Sequence, residues 1–163
     1  MDKKTEIDNT IPTRRFGRTE INIPVLSLGG MRFQQSWKDV NREALEKDSQ
    51  FKLETILQKS MQFGLHHIET ARHYGSSEIQ LGLAFKTLAD SKRIIQTKVP
   101  PKADPKEFEF DLEKSFHNLG CKRVDLLAIH GINMPEHLIQ TIRPGGCIEV
   151  VRKWQKQGKI GNV

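Results

Sequence analysis

The chain has 163 residues, enough to bury a hydrophobic core and form one domain. Its net charge is +6 at pH 7, but the lysines and arginines are scattered along predicted helices rather than clustered with aromatic side chains. This distribution argues against a nucleic-acid-binding surface. No apolar run reaches membrane-spanning length, and the polar first ten residues are not a secretory signal peptide. Because Cys121 and Cys147 lack metal-binding or redox spacing, we expect reduced thiols, no metal site and a cytoplasmic location.

The N-terminal part of the chain predicts a tail, a hairpin and one strand. Residues 1–12 are polar and charged, and we expect a disordered tail. Alternating apolar residues around a turn at Gly17 predict a short β-hairpin over residues 14–23. Residues 25–28, closed by two glycines, predict a buried strand, and residues 31–48 predict a polar loop.

Helices and strands alternate in the rest of the chain. Ser49 predicts the start of a helix, residues 66–69 a short strand, and Ser76 or Ser77 the cap of a second helix. In this second helix the residues expected to face the core are Ile79, Leu83 and Leu88.

Three more strands are predicted, at residues 93–99, 124–129 and 160–163, with two helices between them. The first of these helices begins at Asp104, which is followed by proline in the first turn and by glutamate three residues after the cap. The second helix covers residues 147–157.

This alternation predicts an α/β fold with a parallel sheet and right-handed crossovers. An open doubly wound sheet and part of a (β/α)₈ TIM barrel both fit the order of elements. Doubly wound nucleotide-binding folds usually carry a glycine-rich phosphate loop after the first strand, and Gly29-Gly30-Met31 is not that motif. Barrels place their chemistry at the carboxyl ends of several strands. The sequence therefore favours the N-terminal part of a barrel, about four to five βα units long.

Four residues of different chemistry, Glu69, Tyr74, Lys98 and His130, lie at or just past the ends of consecutive predicted strands. Tyr74 is the only tyrosine of the chain. Because the carboxyl ends of parallel strands meet at one edge of the sheet, we expect these four side chains to lie close together.

This set of side chains suits the reduction of a carbonyl group. Hydride transfer leaves negative charge on the carbonyl oxygen, which then needs a proton and a hydrogen-bond donor. A phenol such as that of Tyr74 can give the proton, and a neighbouring ammonium such as that of Lys98 stabilises the phenolate. We expect Glu69 to form an ion pair that positions Lys98, and His130, as a neutral imidazole, to orient the substrate oxygen.

Several segments resemble the aldo-keto reductases. Residues 64–78, which read GLHHIETARHYGSSE, look like the signature of that family. Residues 15–19 (RFGRT) and 26–31 (LSLGGM) resemble its opening hairpin and first strand, and residues 97–99 and 125–130 resemble its third and fourth strands.

The resemblance covers nearly all of residues 14–163. It implies a (β/α)₈ barrel, NADPH-dependent reduction of a small carbonyl substrate, and a tetrad of tyrosine, lysine, histidine and aspartate. Tyr74, Lys98 and His130 match three members of the tetrad. The cofactor contacts that the resemblance implies are Gly30, Met31 and Glu69, with most of the NADPH site expected beyond Val163.

Glu69 departs from the family pattern, because most members carry aspartate at this position. Glutamate is one methylene longer, about 1.5 Å of extra reach. A displacement of about 1 Å can cost on the order of 100-fold in rate if the backbone does not compensate. The motif also resembles a microbial branch with a cysteine-rich, iron–sulfur-type C-terminal extension. We expect no such cluster within these 163 residues.

Two hypotheses follow from a sequence that stops at Val163, where a fifth strand would begin. The first is a carbonyl reductase whose remaining strands belong to a longer chain or to a second chain. The second is a non-catalytic half-barrel that persists by self-association or by association with another chain. In both cases we expect an incomplete barrel.

Overall fold

The computed structural model describes residues 10–88 and 92–163. Residues 1–9 of the predicted disordered tail lie outside the described residues. Its last residues are held by main-chain hydrogen bonds: Ile11 donates to Phe63 at 2.8 Å, and Pro12 accepts from Val25 at 2.9 Å.

Seven strands and five α-helices make up the described part of the chain. The strands are β1 (Thr13–Arg15), β2 (Asn22–Pro24), β3 (Leu28–Gly29), β4 (His67–Glu69), β5 (Ile94–Val99), β6 (Val124–Ile129) and β7 (Ile160–Asn162). The helices are α1 (Lys47–Gln62), α2 (Ser77–Thr87), α3 (Pro105–Leu119), α4 (Pro135–Ile142) and α5 (Cys147–Lys156).

The sheet has the strand order of a barrel. β1 and β2 form the predicted hairpin, with Arg14 paired to Ile23. The other five strands are all parallel and lie side by side in chain order, from β3 to β7. A doubly wound sheet reverses its strand order at a switch point, and this sheet does not. The prediction of a partial (β/α)₈ barrel is therefore confirmed, with the outer strands β3 and β7 not paired to each other.

The hydrophobic core lies between this sheet and the helices, which pack against one another in sequence from α1 to α2 to α3 and then α5. Sheet residues such as Ile68, Val99 and Leu127 are buried there against helix residues such as Leu112. Phe116 and Trp154 join α3 to α5 edge to face, with ring centroids 5.0 Å apart. A sheet covered by packed helices is a rigid base for side chains at its strand ends.

The start of α3 is as predicted. The Asp104 carboxylate accepts a hydrogen bond of 2.8 Å from the main-chain N–H of Lys106, and Pro105 occupies the first turn. Gly120 ends the helix in the left-handed conformation, with φ of 62°.

Two predicted boundaries near the N-terminus are wrong. A strand was predicted over residues 25–28, but the observed strand consists of Leu28 and Gly29. Val25 and Leu26 are 51% and 58% exposed. The main chain of Val25 bonds to Pro12 beside the hairpin, so this apolar run bends before it enters the sheet. The helix expected to begin at Ser49 begins instead at Lys47.

The predicted inner face of α2 is also wrong in part. Ile79 and Leu83 are only half-buried, whereas Leu81, Ala84 and Phe85 are buried. The helix is buried around most of its circumference, and the buried residues include Glu78 and Gln80, so apolar periodicity does not define its inner face.

The predicted loop of residues 31–48 contains two short 3₁₀ turns, at Gly30–Arg32 and Arg42–Ala44. Helix α4 was not predicted. Its apolar side chains Leu138, Ile139 and Ile142 are exposed rather than packed in the core. Within residues 10–88 and 92–163, no helix is both long and apolar enough to cross a membrane.

Candidate active site

The four predicted site residues come together at one end of the sheet. Glu69 is the last residue of β4, Lys98 is the penultimate residue of β5, and His130 follows β6 directly. Tyr74 lies in the loop between β4 and α2. Parallel strands in register bring all four to the carboxyl edge, as the sequence predicted.

Lys98 is at the centre of this group. Its Nζ forms the predicted ion pair with the Glu69 carboxylate and donates a hydrogen bond of 2.9 Å to the Tyr74 hydroxyl. Both charged side chains are largely withdrawn from solvent, at 16% exposure for Lys98 and 21% for Glu69. Burial lowers the pKa of Lys98 from its ordinary value. The adjacent carboxylate favours the ammonium form and opposes that shift.

His130 stands beside the phenol. The rings of Tyr74 and His130 meet edge to face, with centroids 5.7 Å apart, and the His73 ring lies 6.2 Å from that of His130. Burial, followed by the charge of Lys98 and by His73, lowers the pKa of His130, so its imidazole is neutral at pH 7. The His130 Nδ1 is buried and has no hydrogen-bond partner among the described residues.

The loop that carries Tyr74 is fixed to the neighbouring strand by its main chain. Thr70 donates to the Gln96 carbonyl at 2.9 Å, and Arg72 donates to the Lys98 carbonyl at 2.8 Å. Tyr74 then turns back, donating to the Ala71 carbonyl at 3.0 Å. These bonds hold the phenol and Lys98 on one rigid unit.

Gly75 allows this loop to lie under the segment before α1. It has a φ of +52°, and a Cβ at this position would overlap the Ser36 carbonyl and the main chain of Trp37. Ser76 donates from its main chain to the same Ser36 carbonyl at 3.0 Å. Glycine is therefore required both for the backbone conformation and for the close approach.

Two of the implied cofactor contacts lie beside the group. Gly30 is buried, and a Cβ there would come within 2.8 Å of the Glu69 carbonyl oxygen and 2.9 Å of the Ser77 hydroxyl. Met31 follows it on a 3₁₀ turn and is half-buried. Glu69 itself is engaged with Lys98.

A cavity of about 370 Å³ opens next to His130. The side chains and main chain that line it belong to His73, Pro100, Pro101, Lys102, His130, Gly131, Asn133 and His137. Of the four candidate site residues, only His130 lines this cavity. A space of this size beside a neutral imidazole can hold a small polar molecule.

Arg72 forms an ion-pair network that the sequence did not predict. Its side chain is 7% exposed, and its guanidinium faces carboxylates from three separate parts of the chain: Asp39, Glu78 and Asp111. Glu78, in the first turn of α2, is fully buried and accepts a hydrogen bond of 2.7 Å from Thr97. Only long-range contacts reveal this network, and no local pattern could have predicted it.

Comparison of the sequence with protein-family profiles identifies the family of the chain. The profile of the Aldo/keto reductase family matches residues 25–163. The chain belongs to this family. The match includes all four residues of the candidate site and every strand of the parallel sheet. No curated protein matches the chain in a direct comparison.

Solved aldo-keto reductase structures share this fold. One is a Pseudomonas aeruginosa protein assigned to these enzymes, with a TM-score of 0.77, 21% identity and 98% of the present chain covered. A thermostable aldo-keto reductase in complex with the inhibitor epalrestat gives a TM-score of 0.68, 27% identity and 92% coverage. For an aldo/keto reductase from Klebsiella pneumoniae in complex with NADP and acetate, the TM-score is 0.66, the identity is 22% and 93% of the present chain is covered.

The present chain spans only part of these relatives. It covers 62% of the Pseudomonas protein, 52% of the thermostable enzyme and 48% of the Klebsiella enzyme. The shared part contains the first strands of the barrel and the group around Lys98.

Proposed function

We propose that this chain supplies the proton-donating part of an NADPH-dependent reductase of small aldehydes or ketones. The observation that carries the proposal is the position of the Lys98 Nζ, which is paired with Glu69 and 2.9 Å from the Tyr74 hydroxyl. These contacts lie at the carboxyl ends of the strands, where barrel enzymes carry their chemistry.

The chemistry of the four side chains fits a nicotinamide cofactor. A phenol, an ammonium, an imidazole and a carboxylate can move or stabilise protons, but none of them can give a hydride. A bound nicotinamide cofactor supplies that hydride. Gly30, Met31 and Glu69 are the residues of this chain that we propose to contact it. The NADP in the Klebsiella relative supports this proposal.

In the proposed reaction Tyr74 gives its proton to the carbonyl oxygen as negative charge develops there. The Lys98 ammonium then stabilises the phenolate that remains, because the two groups are already in hydrogen-bond contact. Glu69 keeps the ammonium in place through the ion pair. The charges are thus positioned before the substrate enters.

His130 has a separate task. Because its pKa is lowered, mainly by burial, the imidazole is neutral at pH 7 and can donate one hydrogen bond without giving up its proton. It lies beside both Tyr74 and the cavity of about 370 Å³. We propose that it orients the carbonyl oxygen toward the phenol.

The test is the Tyr74→Phe variant of the protein that carries this chain, assayed by NADPH oxidation with small aldehydes and ketones. Loss of the general acid should lower kcat by about 10² to 10⁴. NADPH affinity should be unchanged, because the substitution removes the proton-donating hydroxyl and alters none of the residues that we propose to contact NADPH. Both quantities can be measured on the same preparations, by absorbance and by fluorescence titration.

Thr87→Val is the matched control. It removes one hydroxyl from an exposed position near the end of α2, where Thr87 donates to the Ala84 carbonyl of its own helix. The control should keep wild-type turnover. Wild-type turnover in Tyr74→Phe, or failure of the wild-type protein to oxidise NADPH with any carbonyl compound, would overturn the proposed function.

A further inference from the structure

Arg72 connects the Tyr74 loop to three other parts of the chain. Its guanidinium hydrogen-bonds to Asp39, which lies in the segment before α1. It lies 3.9 Å from the carboxylate of Glu78 on α2 and 3.8 Å from that of Asp111 on α3. A guanidinium is planar and carries several N–H donors, so it can face several carboxylates at once. An ammonium is a compact point charge and lacks this fixed arrangement of donors.

Asp39 is the partner with the closest contact. The Arg72 hydrogen bond is the main cause that lowers the pKa of Asp39 to about 2, and a bond of 2.5 Å from Lys114 adds to it. Glu78 differs, because burial raises its pKa and its Oε2 has no hydrogen-bond partner in the described part of the chain. The buried cation therefore depends mostly on Asp39, which is 43% exposed.

The same residue is attached to the site by its main chain. The Arg72 N–H donates to the Lys98 carbonyl at 2.8 Å, and Tyr74 follows two residues later. The segment that supplies Asp39 also contributes Ser36, whose carbonyl accepts from the main chain of Ser76. The Tyr74 loop is thus held from one side by β5 and from the other by residues 36–39.

We propose that Arg72 is a positioning residue that, through Asp39, keeps the Tyr74 hydroxyl in contact with Lys98. Its importance for catalysis rests on the proposed function, but the position of the phenol can be measured without any activity. Arg72 itself does not touch the reacting atoms in this proposal. Its side chain acts through the backbone of residues 72–74.

The experiment uses nuclear magnetic resonance on the 163-residue chain, in which Tyr74 is the only tyrosine and its ring signals need no further assignment. The wild type should show nuclear Overhauser contacts from the Tyr74 ring to the His130 ring and to the side chain of Lys98, as their proximity requires. In Asp39→Asn and in Arg72→Lys these contacts should weaken severalfold or disappear. Amide signals of α5 should stay in place.

Lys114→Met is the matched control. It removes the second partner of Asp39 but leaves the Arg72 pair, so the Tyr74 contacts should remain. Asp39→Asn preserves the size of a partly exposed side chain, and it therefore carries the test even if Arg72→Lys does not fold. Unchanged Tyr74 contacts in Asp39→Asn, or their loss in Lys114→Met to the same extent, would overturn the positioning role.

The two proposals fail in different ways. If the proposed reductase function is wrong, no carbonyl compound is reduced although the Tyr74 contacts depend on Asp39 as expected. If the positioning role is wrong, the Tyr74 contacts are the same in the wild type and in Asp39→Asn, or Lys114→Met loses them to the same extent, whether or not the wild type reduces a carbonyl compound. If both are right, Asp39→Asn lowers kcat severalfold without changing NADPH affinity.

Discussion

Replacing Gly82 by alanine should destabilise the protein, although alanine is the better helix former. Gly82 is buried in the middle of α2, where this helix crosses α3. A Cβ at this position would overlap the Asn118 carbonyl oxygen and lie 2.9 Å and 3.0 Å from two main-chain atoms of Leu119. These neighbours are backbone, so no side-chain rotation can make room.

Two opposing effects decide whether Gly82→Ala raises or lowers the free energy of unfolding. Alanine in a helix interior is favoured over glycine by about 1 kcal/mol. Overpacking of a filled core costs about 1–3 kcal/mol, and contact with a neighbouring helix backbone belongs at the upper end of that range. The expected result is a net loss of about 2 kcal/mol in the free energy of unfolding, or about 4–8 °C in Tm for a chain of this size.

Urea unfolding followed by circular dichroism measures this quantity. Gly120→Ala is a useful comparison, because Gly120 has a φ of +62° and an added Cβ would meet no atom within 4 Å. Its cost comes from the left-handed backbone alone, about 1–2 kcal/mol. A Gly82→Ala protein as stable as the wild type, or more stable, would refute the close packing of α2 on α3.

Two further predictions concern pH and helix capping. His67 is buried between Ser27 and Gln96, and burial lowers its pKa below 6.5. Below pH 6.5 the folded state therefore binds fewer protons than the unfolded state. As the pH is lowered through this range, the free energy of unfolding should decrease by up to about 1.4 kcal/mol per pH unit. His67→Gln should flatten this slope in unfolding curves collected across pH, and an unchanged slope would contradict the assignment. Asp104→Ala should cost about 1 kcal/mol through loss of the α3 cap, whereas Asp104→Asn should cost much less in the same assay.

The order of elements and the clustering of Glu69, Tyr74, Lys98 and His130 could be predicted because both depend on local signals. Helix caps, glycine stops and apolar runs predicted the parallel strands that carry Glu69 and Lys98. Once strands are parallel, their carboxyl ends share an edge, so residue types at strand ends are enough to predict a cluster. The Lys98–Glu69 pair was expected on this basis and is present.

The remaining features depend on contacts between distant parts of the chain. Val25 and Leu26 are apolar but exposed, because the chain bends beside the hairpin before it enters the sheet. Pro135 and Glu136 did offer a local signal for the start of α4, but its exposed apolar residues do not match a core-facing stripe. The pairing of Arg72 with Asp39 joins residues 33 positions apart and has no local signature.

The position of Glu69 is compatible with the ion-pairing role that we propose for it. β4 and β5 keep a regular register, with Glu69 opposite Gln96, so the longer side chain does not displace the strand. The Glu69 carboxylate pairs with the Lys98 ammonium on the neighbouring strand. That ammonium reaches Tyr74 at 2.9 Å from the same position. Since both contacts are made at once, Lys98 bridges Glu69 and the phenol, which is the arrangement that the proposed proton donor, Tyr74, requires.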